Sequence, residues 1–304
     1  MKIAAVLLAL LLLGAAAWLY APDRPRAALE ARYAAPSSSF PTIAGLRLHL
    51  RDTGPRDAPA VILLHGFASS LHTWEDWARI LEADHRVIRL DLPGFGLTGP
   101  DPSGDYSDTR AVEVLAALMD SLGLPRASLL GSSMGGRIAW TFAALRPDRV
   151  DRLVLMAPDG FASPGRGYGT PEKVPFLVRI LPYTLPAPLL RPSLAAAFAN
   201  PALMTDALLA RYRDMLLAPG VRRAIVARME GAVLTDPVPL LRRIQAPTLL
   251  LWGEKDAMIP AGNAADYQRA LPDSRLVVLP GLGHVPQEEA PDASVEAVRQ
   301  FLRG

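Results

Sequence analysis

The stretch with the clearest chemistry in this chain is Gly131-Ser132-Ser133-Met134-Gly135. A serine at the centre of G-x-S-x-G can act as a nucleophile when a strand feeds it and a helix leaves it. Here an apolar-leaning run at 127–130 leads in and a helix-like run at 136–145 leads out. The turn between them demands strained backbone at Ser133. Small residues must flank it, because a Cβ at 131 or 135 would collide with the neighbouring strand or helix. The hydroxyl is then lifted to a helix N-terminus, where the dipole favours a developing negative charge. A bare G-x-S-x-G arises by chance in roughly one protein in ten of this size. Its partners therefore decide its meaning.

A serine hydroxyl needs a base to take its proton, and the base needs a carboxylate to hold its tautomer. The histidines are His49, His65, His72, His85 and His284. In open parallel sheets, functional groups gather beyond the C-terminal ends of strands. His284, in Leu282-Gly283-His284-Val285, follows an apolar strand at 276–279 and meets that criterion. His49 reads as lying inside a strand, and His72 and His85 on or after a helix. For the acid, Asp256 follows the strand at 248–252 in Trp252-Gly253-Glu254-Lys255-Asp256, and Asp159 is its rival after the strand at 153–156. The chain order Ser133, Asp256, His284 is that of a strand–elbow–helix hydrolase. The loop His65-Gly66-Phe67-Ala68 follows a buried strand at 61–64. It would supply the Phe67 N–H to an oxyanion hole, with the Met134 N–H as the second donor. His65 itself reads as structural, bound to backbone in its loop.

These residues need a scaffold, and the hydrophobic pattern describes one. Short apolar strands alternate with helical patterns at 74–81 and 109–122, and around the Ser133 unit. That alternation implies a parallel sheet with helices on both faces. It stops after 160. Proline-broken helical pieces follow at 174–181, 185–190, 203–217 and 221–234, and βα alternation resumes at 248. The expected organisation is a core at 43–160 and 241–304 with a helical lid at 161–240 inserted after the sixth strand. Gly94-Phe95-Gly96-Leu97-Thr98-Gly99 matches a dinucleotide fingerprint, but Pro100 and Pro102 follow at once and no helix can open there. It reads as a tight loop.

The 304 residues carry a net charge of +2, which offers nothing to nucleic acid. There is no cysteine and no histidine pair at metal-ligand spacing, so neither a metal nor an organic cofactor is implied.

The segments quoted above, with Asp91-Leu92-Pro93-Gly94-Phe95-Gly96, come in the order seen in one family. Over about residues 40–304 the chain resembles the α/β-hydrolase-fold serine hydrolases. Within them it is most similar to monoacylglycerol lipase-like and carboxylesterase members that carry an N-terminal membrane helix. The resemblance implies a carboxylic ester hydrolase acting through an acyl-enzyme on a lipid-like or medium-chain small-molecule ester. The loop His65-Gly66-Phe67-Ala68 departs from the glycine-rich HGGG form of many lipases. The Ser133-Met134-Gly135-Gly136 elbow also resembles that of hydrolases that split carbon–carbon bonds in ring-cleavage products. A non-catalytic binding protein on the same fold is the reading from another class.

The N-terminus carries a separate expectation. Residues 3–20 are an unbroken apolar run, at the lower limit for a membrane span. They read as an anchor holding the enzyme at an inner membrane and facing the periplasm, or as a cleaved export signal. Residues 21–42, rich in Ala, Pro, Ser and Arg, read as a linker.

Overall fold

The computed structural model describes residues 19–162, 167–171 and 173–304, with residues 3, 11 and 14 besides. An eight-stranded sheet forms its centre. In chain order its strands are β1 (Ser38–Ser39), β2 (Leu50–Thr53), β3 (Ala60–Leu64), β4 (Arg86–Leu90), β5 (Ala127–Ser132), β6 (Val150–Met156), β7 (Thr248–Gly253) and β8 (Ser274–Leu279). Their spatial order is β1-β2-β4-β3-β5-β6-β7-β8. The β1–β2 and β2–β4 pairs are antiparallel, and every later pair is parallel. A two-stranded hairpin, Thr42–Ile43 with Leu46–Arg47, lies outside this sheet. The strand expected to contain His49 is not continuous. The chain instead breaks at Leu48 and His49, so His49 sits between strands.

Alternation along the central strands assigns each residue to a face. Val61 and Leu63 of β3, Val87 of β4, Leu130 of β5 and Leu249 and Leu251 of β7 pack on one side. There they meet Trp77, Ala78 and Leu81 of α2 (Glu75–Leu81) and Val295 and Val298 of the C-terminal helix (Pro291–Arg303). Their neighbours Ile62, Leu64, Ile88, Leu90, Leu129 and Leu250 face the other way. Those pack with α3 (Asp108–Ser121), α4 (Met134–Leu145) and α10 (Ala264–Ala270). Both faces are covered, which is why these strands read as continuous apolar runs. The N-terminus of α3 is set by Ser107, whose side chain accepts the Arg110 N–H.

The strand order also locates the crevice. From β3 the chain steps to β4 on one side, then crosses β3 to reach β5 on the other. At such a reversal the loops leave the sheet in opposite directions and open a cleft at its C-terminal edge. The loops after β3 and β5 both rise there.

Among the described residues, five α-helices lie between β6, the sixth strand of the large sheet, and β7. They are α5 (Phe176–Arg179), α6 (Ala187–Ala195), α7 (Asp206–Leu216), α8 (Val221–Gly231) and α9 (Val238–Leu241). Ala195, Phe198, Met204 and Tyr212 form a small core of their own.

Two N-terminal expectations change. Most of residues 1–18 lies outside the described residues, and among the described ones no helix is long and apolar enough to cross a membrane. The expected membrane-spanning helix is therefore withdrawn, and with it the anchor or signal that rested on that apolar run. The stretch from 21 onward is not a free linker. Arg26–Tyr33 forms α1, and Leu29 on it is buried. Arg24 lies 2.6 Å and Arg32 3.1 Å from the buried carboxylate of Asp214 on α7, and the Tyr33 hydroxyl donates to it at 2.7 Å. Arg26 reaches Leu97 O at 2.7 Å, and Asp23 pairs with Arg222 of α8. The segment is a strap fastening the inserted helices to the core.

Candidate active site

Ser133 stands between β5 and α4 with φ 52° and ψ −117°, in the left-handed region that a non-glycine residue enters only under constraint. The constraint is visible in the flanking glycines. A Cβ on Gly131 would lie 2.3 Å from Gly135 O, and one on Gly135 would lie 2.2 Å from Leu64 O at the end of β3. No side chain fits either gap, so the elbow can close only with glycine on both sides. The Ser133 N–H donates to Met156 O at 2.9 Å, and Ser133 O accepts from Asp159 N at 3.0 Å. These bonds tie the elbow to the end of β6.

A methyl group at position 135 tests this packing. Gly135→Ala is expected to destabilise the fold by about 1–3 kcal/mol or more through overpacking against backbone. That should show as a melting temperature lower by several degrees, or as failure to accumulate folded protein. Gly262→Ala, where a Cβ would meet nothing within 4 Å, serves as the control. Equal melting temperatures for the two variants would remove the steric account of the elbow.

Asp256 and His284 come together. His284 Nδ1 lies 2.7 Å from Asp256 Oδ2, with both residues buried. The other carboxylate oxygen, Oδ1, accepts the N–H groups of Met258 at 2.8 Å and Ile259 at 2.9 Å. The carboxylate is thus fixed from both ends. The His284 loop is pressed against the inserted helices: its N–H donates to Ala197 O at 2.7 Å, and a Cβ on Gly283 would lie 2.6 Å from Ala199 N. The rival acid, Asp159, is placed elsewhere. Its carboxylate lies 3.7 Å from Arg137 on α4.

The loop after β3 lies against the serine. A Cβ on Gly66 would stand 3.3 Å from Ser133 Cβ. Phe67, next in the chain, is 43% exposed and turns edge-on to Phe95 at 5.6 Å. Met134 opens α4, so its N–H is one of the first-turn donors that a helix leaves without an internal acceptor. His65 is fully buried. Its Nε2 accepts the Leu92 N–H at 2.9 Å, which requires the proton on Nδ1, and Nδ1 donates to Gly66 O at 2.8 Å. Burial lowers its pKa, so the ring stays neutral and braces the loop.

The structure also holds a Ser–His–Asp set that sequence reasoning did not find. Ser38 Oγ lies 2.9 Å from His49 Nε2, and His49 Nδ1 lies 2.8 Å from Asp91 Oδ2. This set is a brace rather than a reaction centre. Ser38 Oγ already accepts the N–H of Ala35 and Nε–H of Arg51, at 3.1 and 3.2 Å. Asp91 also takes the N–H groups of Leu71 and Leu97, both at 2.7 Å, which shapes the loops on either side of β4. The glycine-rich stretch after β4 is the expected tight loop, closed by Gly94 N to Gly99 O at 2.7 Å. Asp91 carried a signal in its motif, but nothing in the sequence pairs it with His49.

With an elbow of this geometry on this strand order, the family can be assigned. The sequence pattern that defines the α/β hydrolase fold matches residues 59–291. The chain belongs to the α/β hydrolase fold family. Among curated relatives, this α/β hydrolase is 31% identical over 282 residues to a 2-hydroxy-6-oxo-6-phenylhexa-2,4-dienoate hydrolase of Burkholderia cepacia, covering 88% of this chain and 96% of that enzyme. Among solved structures it is similar to a bacterial membrane phospholipase A, with TM-score 0.73 and 28% identity over 100% of this chain and 99% of that one. It is also similar to a thermophilic esterase from Thermogutta terrifontis, with TM-score 0.72 and 27% identity over 88% and 98% of the two chains.

Proposed function

We propose that this α/β hydrolase works by nucleophilic serine catalysis on a small carbonyl substrate, and that it splits the carbon–carbon bond beside the ketone of a carboxylate-bearing ring-cleavage product. The observation that carries the catalytic part is the 2.7 Å bond between His284 and Asp256, on the same sheet edge as the strained Ser133. In this reading His284 takes the Ser133 proton as Oγ attacks the carbonyl. The N–H groups of Phe67 and Met134 hold the oxygen that becomes negative. His284 then returns the proton to the departing group, and water releases the acyl group from Ser133 by the same steps in reverse order.

The choice of bond rests on relatives. Dienoate hydrolases match this chain over nearly their full length. A carbon leaving group departs only when its charge can spread into conjugated oxygen groups, as a dienoate skeleton allows. Ester hydrolysis is the second reading, and the phospholipase and esterase neighbours support it. It uses the same residues, with an alkoxide as the simpler leaving group.

A two-substrate comparison separates these readings. The wild-type enzyme is offered a 2-hydroxy-6-oxodienoate, followed by loss of its visible absorbance, and p-nitrophenyl esters of two to eight acyl carbons. A kcat/KM at least tenfold higher on the dienoate is the expected result. Turnover of the esters alone, with medium chains ahead of acetate, transfers the assignment to ester hydrolysis.

A further inference from the structure

The backbone around His284 is held by the inserted helices as well as by the core. The turn after α6, at 197–200, lies on the His284 loop, and the His284 N–H donates to Ala197 O at 2.7 Å. Glu289, at the end of the helical turn Pro286–Glu289, closes this joint with its carboxylate. Its Oε1 accepts the N–H groups of Ala199 at 2.7 Å and Asn200 at 3.3 Å, and its Oε2 accepts the N–H of Gly283. One carboxylate thus grips the insertion with one oxygen and the residue before His284 with the other. The residue after His284, Val285, packs against the small core of Ala195, Phe198, Met204 and Tyr212.

The neighbouring Glu288 turns to the same body. Its Oε1 lies 2.6 Å from Arg211 Nη2 on α7 and accepts the Tyr212 hydroxyl at 3.2 Å. The joint is also sterically tight, since a Cβ on Gly283 would lie 2.7 Å from Ala197 O and 3.0 Å from Glu289 Oε2. Asp256 holds only Nδ1 of the imidazole. A ring tethered at one nitrogen keeps its aim only while its backbone stays in place. Hydrogen bonds to a carboxylate are about twice as strong as neutral ones, so Glu289 is suited to fix that backbone. Precision matters here, because a shift of about 1 Å in a catalytic group costs on the order of 100-fold in rate.

We propose that Glu289 is a positioning residue: it locks the turn at 197–200 to Gly283 and so holds His284 where it can serve Ser133. The proposal rests on the serine-hydrolase reading above, and it gives the insertion a part in catalysis beyond covering the cleft. The competing role is structural. There the clasp only fastens the insertion, and the bonds of His284 to Asp256 and Ala197 keep the ring in place without it. A structural role lowers stability but leaves the imidazole as it is, so the state of the ring is the informative quantity.

The test reads the ring directly by nuclear magnetic resonance of protein carrying isotope-labelled histidine. The ring-nitrogen signals of His284 are assigned by their loss in His284→Gln, and they report which nitrogen carries the proton. His49, bonded to Asp91 at 2.8 Å, is the internal reference. In Glu289→Ala the His284 signals should shift toward a mixture of tautomers while those of His49 stay. On the better of the two substrate classes above, kcat should fall about 100-fold with little change in KM, and fluorophosphonate labelling should slow by a similar factor. Glu289→Gln offers one oxygen in place of two. It keeps one side of the clasp and should recover part of the rate and part of the wild-type signal. Unchanged His284 signals, or an unchanged kcat, in folded Glu289→Ala overturns the proposal. Should Glu289→Ala fail to fold, Glu289→Gln decides by the same readings. A wild type that is neither active nor labelled counts against the serine reading, and the His284 signals alone then decide the clasp.

Discussion

Ser133→Ala is expected to lower kcat by about six orders of magnitude while leaving the fold intact, as loss of the nucleophile does in a serine protease. The size follows from the number of roles that converge on Oγ. In the proposed mechanism it attacks the carbonyl, carries the acyl group and supplies the proton that His284 takes. Alanine retains the Ser133 Cβ, the atom that a Cβ on Gly66 would meet at 3.3 Å, so packing at the elbow is unchanged. It also retains the Ser133 N–H to Met156 O bond, which holds the turn. A fluorophosphonate probe should label the wild type and leave Ser133→Ala unlabelled, with matching melting temperatures. Equal labelling of the two proteins would show that the reactive serine lies elsewhere, and Ser38, half-buried beside His49, would be the first place to look.

Asp256→Asn is expected to cost about four orders of magnitude in kcat, again with little change in stability. The size is that measured for the equivalent change in a serine protease. The hydrogen bonds of Asp256 explain why it should apply here. Oδ1 accepts two backbone N–H groups, from Met258 and Ile259. An asparagine must turn its one oxygen toward these donors, which leaves its NH2 facing His284 Nδ1. That nitrogen must then accept, so the ring proton moves to Nε2, and the nitrogen needed as the base already carries a proton. Asp159→Asn is the comparison. Its carboxylate faces Arg137 rather than the imidazole, so it should change kcat far less. A collapse of activity in Asp159→Asn with near-normal Asp256→Asn would reassign the acid.

The sequence was most informative where one residue type is the only one that fits. The positions of Gly131 and Gly135 state that no side chain can stand there, and the structure places backbone within 2.3 Å of both missing Cβ atoms. Strand β3 could be read from four apolar residues because both its faces are covered. Asp256 and His284 could be chosen because each follows a strand and parallel strands end on one edge. The two readings of the N-terminal region failed for different reasons. The membrane helix was inferred from composition alone, over residues that are mostly outside the described structure. The linker was inferred from Ala, Pro and Ser content, which says nothing of what a chain can lie against.

What the sequence by itself determined is thus the order of the core strands and helices from β3 onward, the elbow at Ser133 and the candidates for its partners. These depend on local periodicity and on steric limits within a few residues. Tertiary structure alone decided the contacts between polar groups far apart in the chain. Asp214 gathers Arg24, Arg32 and Tyr33 from some 180 residues away, and Asp91 holds His49 across 42. It also decided that Arg211 pairs with the Glu288 carboxylate, whereas among the described residues Arg228 Nε is buried without an acceptor. A charged side chain on an exposed helix face and one packed down onto a loop look alike in a sequence. Only folding brings up the neighbours that fix its solvation, and solvation determines whether its charge is neutral background or a binding site.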